Sequence, residues 1–212
     1  GGRSGAIVPH AAKLVQIHSD AGEIGRIRDV DLGIAAYADT TITALKTALA
    51  GRVPDGLEAW RAQAVSASGL FAASFAGTAP ESANGIHPFH AAQAVTDAAG
   101  PDAFYVFDGG EAASWAGAVA RANTPASFLS HGYLGCLGIG QGFAIGAQLS
   151  DPKRRVVHLT GDGAMGFNLP EMDTMVRHKL PIVNIVLNNE VWGMSIHGQQ
   201  IMFGGNYSVI SK

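Results

Sequence analysis

The sequence has a single cysteine, Cys136, in 212 residues, so it can form no internal disulfide and no cysteine-rich zinc site. It also lacks a charge excess: 14 Lys and Arg stand against 17 Asp and Glu, a net charge of −3. That balance offers no electrostatic footprint for nucleic acid or for an anionic membrane surface. No apolar run reaches transmembrane length, and no basic-then-apolar signal segment opens the chain. There is no internal repeat and no low-complexity tract. A reducing cytoplasm is the expected compartment, with neither nucleic acid nor membrane as a partner. An initiator Met is missing too. The chain opens on Gly-Gly-Arg and stops at Ile210-Ser211-Lys212 after a Gly-rich turn, so a piece of a longer polypeptide is expected.

What is present describes a packed globule. Hydrophobic residues make up 47% and charged residues 15%, and the length suffices to bury a sizeable core. The richest stretch is Gly161-Asp162-Gly163 and what surrounds it. Arg155-Val156-Val157-His158-Leu159-Thr160 before it reads as a buried strand. Asn168-Leu169-Pro170-Glu171 after it reads as a polar cap with Pro at the first helical position, opening a helix from Glu171 to Leu180. Ile182-Val183-Asn184-Ile185-Val186-Leu187 is a second apolar strand, ending on Asn188-Asn189. Parallel strands joined by a right-handed crossover place both following turns at one sheet edge. Asp162 and Asn189, 27 positions apart, are therefore predicted to meet. A carboxylate, an amide oxygen and a backbone carbonyl make a hard-oxygen set suited to Mg²⁺, with positions left for phosphate oxygens. Gly163 lets backbone approach a phosphate, and the amides around Ala164 and Gly193 can donate to it.

The remaining segments follow in chain order. Lys13 to His18 and Val30 to Ala35 read as strands, with a loop and short helical turn between them. Asp39-Thr40-Thr41 is expected to cap a helix running to Leu49. Gly51 to Gly56 breaks the chain. Leu57 to Phe75 is predicted helical, with Trp60, Ala64 and Phe71 or Phe75 on its buried side, and Gly77 to Gly85 is predicted loop. Pro88 starts a helix through Ala99, closed by Gly100-Pro101. Ala103 to Phe107 is a buried strand ending at Asp108-Gly109-Gly110-Glu111, and Ala112 to Arg121 is the next helix. A Gly-Gly turn from strand into helix aims free amides at an anion. A Gly/Ala-rich helix runs to Leu149. His10, His18, His87, His90, His158 and His178 show no ligand spacing and are expected to be surface or satisfied structural residues.

Gly161-Asp162-Gly163 through Asn188-Asn189 resembles the signature of thiamine-diphosphate enzymes. The surroundings are similar to the acetolactate synthase and benzaldehyde lyase family. They comprise His131-Gly132-Tyr133-Leu134-Gly135, the run from Gly138 to Ala147, and Trp192-Gly193-Met194-Ser195-Ile196-His197-Gly198-Gln199-Gln200. The resemblance implies an α/β fold, a parallel sheet with helices on both faces. It implies that 1–50 is the end of a central domain, 51–85 a linker, and 86–212 most of the diphosphate-binding domain.

The same resemblance implies thiamine diphosphate and Mg²⁺ as cofactors. Mg²⁺ would be held by the Asp162 carboxylate, the Asn189 side-chain oxygen and the Val191 carbonyl. The cofactor would lie against Gly161, Asp162, Gly163, Ala164, Asn189, Val191, Trp192, Gly193 and Met194. The turn of Gly110, Glu111 and Ala112 would take the diphosphate tail through backbone, since Ala112 and Ala113 offer no side-chain donor. The segment Gly135-Cys136-Leu137 would meet the aminopyrimidine through the carbonyls of Gly135 and Leu137. Leu137 would sit under the bend of the cofactor, with Cys136 a small packed side chain. Met194 and Trp192 would line the pocket, and His197, Gln199 and Gln200 would either cover it or be exposed helix polars. His131 either faces the substrate or bonds neighbouring backbone. Around Arg3-Ser4-Gly5 and the loop after His18, relatives border a structural FAD or an ADP. Taken without the resemblance, Arg3 is a surface side chain in a Gly-rich loop.

The activity implied is C–C bond cleavage or carboligation of 2-hydroxyketones, aldehydes or 2-oxoacids, in the manner of benzaldehyde lyase. Acetolactate synthesis, decarboxylation of a 2-oxoacid or acyl-CoA, and a non-catalytic nucleotide-binding or regulatory module are the alternatives. The activating glutamate of the family lies in a pyrimidine-binding domain, usually of a neighbouring subunit. A homodimer or homotetramer is therefore expected, and the chain alone is expected to be inactive.

Overall fold

A computed structural model describes residues 8–208 and 210, Asn84 excepted. The chain divides into two units, residues up to 64 and residues from 65 onward. In the first, β1 (Val15–His18) pairs in parallel with β2 (Leu32–Ala35), and α1 (Ala38–Ala48) follows. The connection between the strands is a 3₁₀ turn, Ala21–Glu23, held by the Gln16 side chain: Nε2 donates to the Glu23 carbonyl, and Oε1 accepts from Gly25 N–H, both at 2.9 Å. The expected cap on α1 is not made. Tyr37 holds the N-cap position, and Asp39 lies inside the first turn, accepting from Thr40 N–H at 2.6 Å.

The predicted long helix after the break is two helices, α2 (Leu57–Ser68) and α3 (Leu70–Phe75), parted at Gly69. Trp60 is 65% exposed rather than buried. Ala and Ser make up half of α2, too little apolar surface to hold one face against a core. Phe75 does pack inward within the second unit, its ring 5.3 Å from Phe89 and 5.1 Å from Trp115. The segment expected to be loop carries a small antiparallel pair, β3 (Glu81–Ser82) and β4 (Gly85–Ile86).

The second unit is then built on α4 (Pro88–Ala99), β5 (Phe104–Phe107), α5 (Glu111–Val119), β6 (Phe128–Ser130), α6 (Gly140–Ser150), β7 (Val156–Gly161), α7 (Asp162–Phe167), α8 (Glu171–Arg177), β8 (Val183–Leu187) and α9 (Gly193–Phe203). Its four strands form one parallel sheet in the order β6-β5-β7-β8. Every residue of β5 is buried, and alternate side chains feed two cores. Tyr105 and Phe107 pack with Leu159, Ala92 and Ala116 on the side of α4 and α5. Phe104 and Val106 pack with Val156, Ala144, Ala147 and Met175 on the side of α6 and α8. The α/β class, with helices on both faces of a parallel sheet, is therefore as the residues predicted.

Two local predictions around the Gly-Asp-Gly stretch differ. The acidic turn is not a turn alone, because α7 starts at Asp162 itself. Pro170 is the N-cap of α8 rather than its first helical residue, and no side chain caps that helix. Asn168 is drawn away from the cap: its Nδ2 donates to the Gly138 carbonyl.

Candidate functional site

Parallel pairing determines what meets at the carboxyl edge of the sheet. Phe107 is in register with Leu159, and Gly161 with Leu187. One step beyond β7 is Asp162, and two beyond β8 is Asn189. Just past β5 come Asp108, Gly109 and Gly110. Each strand end leads into a helix: α5 from Glu111, α7 from Asp162, and α9 from Gly193 after a turn in which Glu190 has φ +60°.

The three turns approach closely: a side chain is excluded at Gly193, would be tight at Gly109 and Gly110, and would make ordinary contact at Gly163. A Cβ on Gly109 would lie 3.1 Å from Gly161 N, and one on Gly110 would lie 3.1 Å from Met194 Cβ. On Gly163 it would be 3.4 Å from Trp192 Nε1. On Gly193 it would collide with Glu111 Oε2 and lie 2.9 Å from Asn189 Nδ2. Backbone thus lines a cradle at the place predicted for the diphosphate. Within it, Asn189 Nδ2 donates to Glu111 Oε2 at 3.4 Å, and Asn189 Oδ1 accepts from Val191 N–H at 3.3 Å. His197 Nδ1 meets Glu111 Oε1 at 2.8 Å, joining α9 to the start of α5.

Gly110, Glu111, Ala112, Gly161, Asp162, Gly163, Ala164, Asn189, Val191, Trp192, Gly193 and Met194 accordingly belong to adjoining turns. Ala112 and Ala164 are buried and contribute backbone only. Among the described residues no cluster of three or more His, Cys, Asp or Glu could hold a metal. The oxygen donors on the two neighbouring strand ends are instead the Asp162 carboxylate, the Asn189 amide and main-chain carbonyls, while the Glu111 carboxylate is engaged by Asn189 and His197. That set fits a hard cation whose shell is completed by phosphate oxygens, and not zinc. The cradle and the donor chemistry both fit thiamine diphosphate with Mg²⁺.

The segment 131–137 carries mostly exposed side chains. His131 precedes a 3₁₀ turn, Gly132–Leu134, and its Nδ1 meets the Gly132 carbonyl at 3.2 Å, the backbone-bonded alternative. Tyr133 is fully exposed and Leu134 84% exposed. Cys136 is exposed as well, against the expectation of a packed side chain, because the 3₁₀ turn carries this segment outward. Leu137 is half-buried. Gln199 does not cover the cradle. Its amide exchanges two hydrogen bonds with the backbone of Ser208, at 2.9 and 2.6 Å, fastening the chain beyond α9. Gln200 is exposed. Of the adenine-nucleotide expectation, Arg3-Ser4-Gly5 lies outside the described residues, and the loop after His18 is the Asp20-capped 3₁₀ turn.

Asp108 and His158 are among the buried polar residues, and sequence reasoning assigns Asp108 no role. Asp108 is 0% exposed. Its Oδ1 accepts from Gly109 N–H at 2.6 Å and Gly138 N–H at 3.1 Å, and its Oδ2 from Gly140 N–H at 2.8 Å. Nothing local announces this, since two of the donors lie some thirty residues away. Of the two alternatives for His158, the structural one holds: it is 0% exposed in β7. Its Nδ1 meets Asn184 Oδ1 at 2.8 Å, and its Nε2 has no partner among the described residues.

Burial holds the His158 pKa below the ordinary imidazole value of 6.5, opposed in part by the Asn184 hydrogen bond and the Asp108 charge. The sign follows from proton uptake. Below 6.5 the unfolded chain binds a proton that the folded chain refuses, so stability falls as pH drops from that value toward the lower folded pKa. The midpoint of urea denaturation is expected to decline as pH falls below about 6.5, and His158→Gln should lose that share of the slope. An unchanged slope in the variant would assign the pH dependence to other groups.

The family described as "Thiamine pyrophosphate enzyme, C-terminal TPP binding domain" matches residues 108–212, the span that carries all three turns. The chain belongs to that family. It is 39% identical over 127 residues to the acetolactate synthase large subunit IlvG of Mycobacterium tuberculosis, covering 60% of this chain and 23% of that protein. It is 37% identical over 124 residues to 2-hydroxyacyl-CoA lyase 2 of Caenorhabditis elegans, covering 58% of this chain and 19% of that protein. The chain thus spans less than a quarter of either relative. The fold is similar to a solved structure, the thiamine diphosphate-dependent 4-hydroxybenzoylformate decarboxylase of Rhodococcus jostii. There the TM-score is 0.73 and the identity 23%, over 96% of this chain and 36% of that one.

Proposed function

We propose that the chain is the diphosphate-binding part of a thiamine-diphosphate- and Mg²⁺-dependent enzyme that makes or breaks a C–C bond beside a carbonyl. Its substrates would be 2-hydroxyketones, aldehydes or 2-oxoacids. The observation that carries this is the convergence of three glycine-bearing turns with Asp162 and Asn189 at one sheet edge, inside the span matched by the family. The relatives' names include a synthase, a lyase and, for the structural neighbour, a decarboxylase. That range supports the C–C bond class and leaves the direction to assay.

In this reading the Asp162 and Asn189 side chains and the Val191 carbonyl hold Mg²⁺. The N–H groups of Gly110, Glu111 and Ala112, with those near Ala164 and Gly193, donate to the diphosphate. Thiamine diphosphate, when bound, would supply an acidic carbon whose deprotonated form is nucleophilic toward a carbonyl, and a ring able to accept the electrons of a cleaved bond. Leu137 supports the cofactor from below, and Trp192 and Met194 narrow the pocket and exclude water. A carboxylate that protonates the cofactor's pyrimidine would come from a pyrimidine-binding domain of a neighbouring subunit.

Thermal denaturation tests the reading. Thiamine diphosphate and Mg²⁺ together, at about 100 times the dissociation constant, are expected to raise the melting temperature by roughly 5–10 °C, with either alone doing much less. An unmoved transition with both present would favour a module that keeps the fold without the cofactor.

A further inference from the structure

We propose that Asp108 is a positioning residue that sets the diphosphate turn and the Leu137 segment relative to each other, so that one carboxylate aligns both ends of one cofactor. This rests on the function proposed above.

A fully buried carboxylate costs free energy unless its lone pairs are met by well-placed donors. For Asp108 the donors are three backbone N–H groups from two segments. Gly109 opens the turn that runs to Gly110 and Glu111. Gly138 and Gly140 belong to the segment that directly follows Leu137. Charge-assisted hydrogen bonds of this kind are about twice as strong as neutral ones, so the carboxylate fastens the two segments at a fixed separation.

The second segment is built to be held. Gly138 has φ +85°, and a Cβ there would collide with Phe167 Cβ. While Asp108 takes its N–H, Asn168 Nδ2 donates to its carbonyl, so the residue is gripped from both sides. A Cβ on Gly140 would collide with His158 Nε2 and lie 2.8 Å from Asp108 Cβ. The segment is therefore located by residues from the end of β5, from β7 and from the link between α7 and α8. Leu137, one residue earlier, inherits that placement. The Gly109–Glu111 turn is seated by the same carboxylate, and it runs so near Gly161 that a Cβ on Gly109 would lie 3.1 Å from Gly161 N.

Inorganic diphosphate needs only the turn, whereas thiamine diphosphate needs the turn and the Leu137 segment together. Asp108→Asn keeps the shape but turns one acceptor into an NH₂ that faces an N–H. The expected result, by isothermal titration of the full chain with Mg²⁺ present, is that thiamine diphosphate weakens about tenfold more than inorganic diphosphate does. A loss of folded protein alone would scale both affinities equally and leave their ratio as in the wild type. An unchanged ratio in folded Asp108→Asn overturns the proposal. Should that variant not fold, Asn168→Ala decides instead, because it frees the Gly138 carbonyl at an exposed position. It is expected to lower the same ratio by about threefold, and no change there overturns the proposal. A wild-type chain that binds no thiamine diphosphate overturns the proposed function and this coupling together. Wild-type binding with the ratio preserved in the variants overturns the coupling alone.

Discussion

Asp162→Ala is expected to remove Mg²⁺ and thiamine diphosphate binding together, each weakened on the order of 100-fold or more. Asp162 is the one carboxylate in the proposed ligand set. The other members, the Asn189 amide and the Val191 carbonyl, are neutral. Without Asp162 the ion would face the diphosphate with no protein charge, and the diphosphate would lose the cation that neutralises it. The linkage is reciprocal, so titrating the cofactor at fixed Mg²⁺ and titrating Mg²⁺ at fixed cofactor should show the same loss. Circular dichroism should remain that of the wild type, because the half-buried Asp162 lies at the start of a six-residue helix and not in either core. Isothermal titration showing cofactor affinity unchanged in this variant would refute the metal assignment.

The largest stability loss from a one-methyl change is expected at Gly138→Ala. The native φ of +85° is poor for an L side chain, at about 1–2 kcal/mol. The added carbon also collides with Phe167 Cβ and lies 3.3 Å from the Ala164 carbonyl, so α7 must shift. Together these should destabilise the chain by about 2–4 kcal/mol, read as a lower midpoint in urea. Gly142→Ala is the control. Gly142 lies within α6 with nothing within 4 Å of a new Cβ, so Ala there should stabilise by roughly 0.5–1 kcal/mol. Similar midpoints for the two variants would show that the backbone at 138 relaxes at little cost. Because the Gly138 segment follows Leu137, the same substitution should also weaken thiamine diphosphate.

Much of this edge was legible residue by residue. The apolar runs at Phe104–Phe107 and Val156–Gly161 are strands buried on both faces, and continuous hydrophobicity reports that condition directly; Val183–Leu187 carries the same signal at the sheet edge, where Val183 and Val186 stay exposed. Gly100 closes α4 with φ +82°, and Pro88 opens it, each through a local conformational preference. Prediction failed where a distant partner outbid a local one. Asn168 had the character of a cap, yet its amide is used by Gly138, thirty residues earlier. Trp60 had the character of a core residue, but α2 presents no apolar face on which it could be buried.

Short-range chemistry along the chain was enough to establish the strands, their parallel pairing, and the neighbouring strand ends beyond which Asp162 and Asn189 lie. These depend on period, branching and turn residues, all of which act within a few positions. Only the tertiary structure could show that Asp108 is the buried acceptor for Gly138 and Gly140, that His158 is sealed beside Asn184, and that Glu111 joins Asn189 to His197. Those contacts bridge from 26 positions (His158 to Asn184) to 86 (Glu111 to His197). A polar side chain's partner at such a distance is chosen by how strands and helices pack, and no local preference along the chain encodes it.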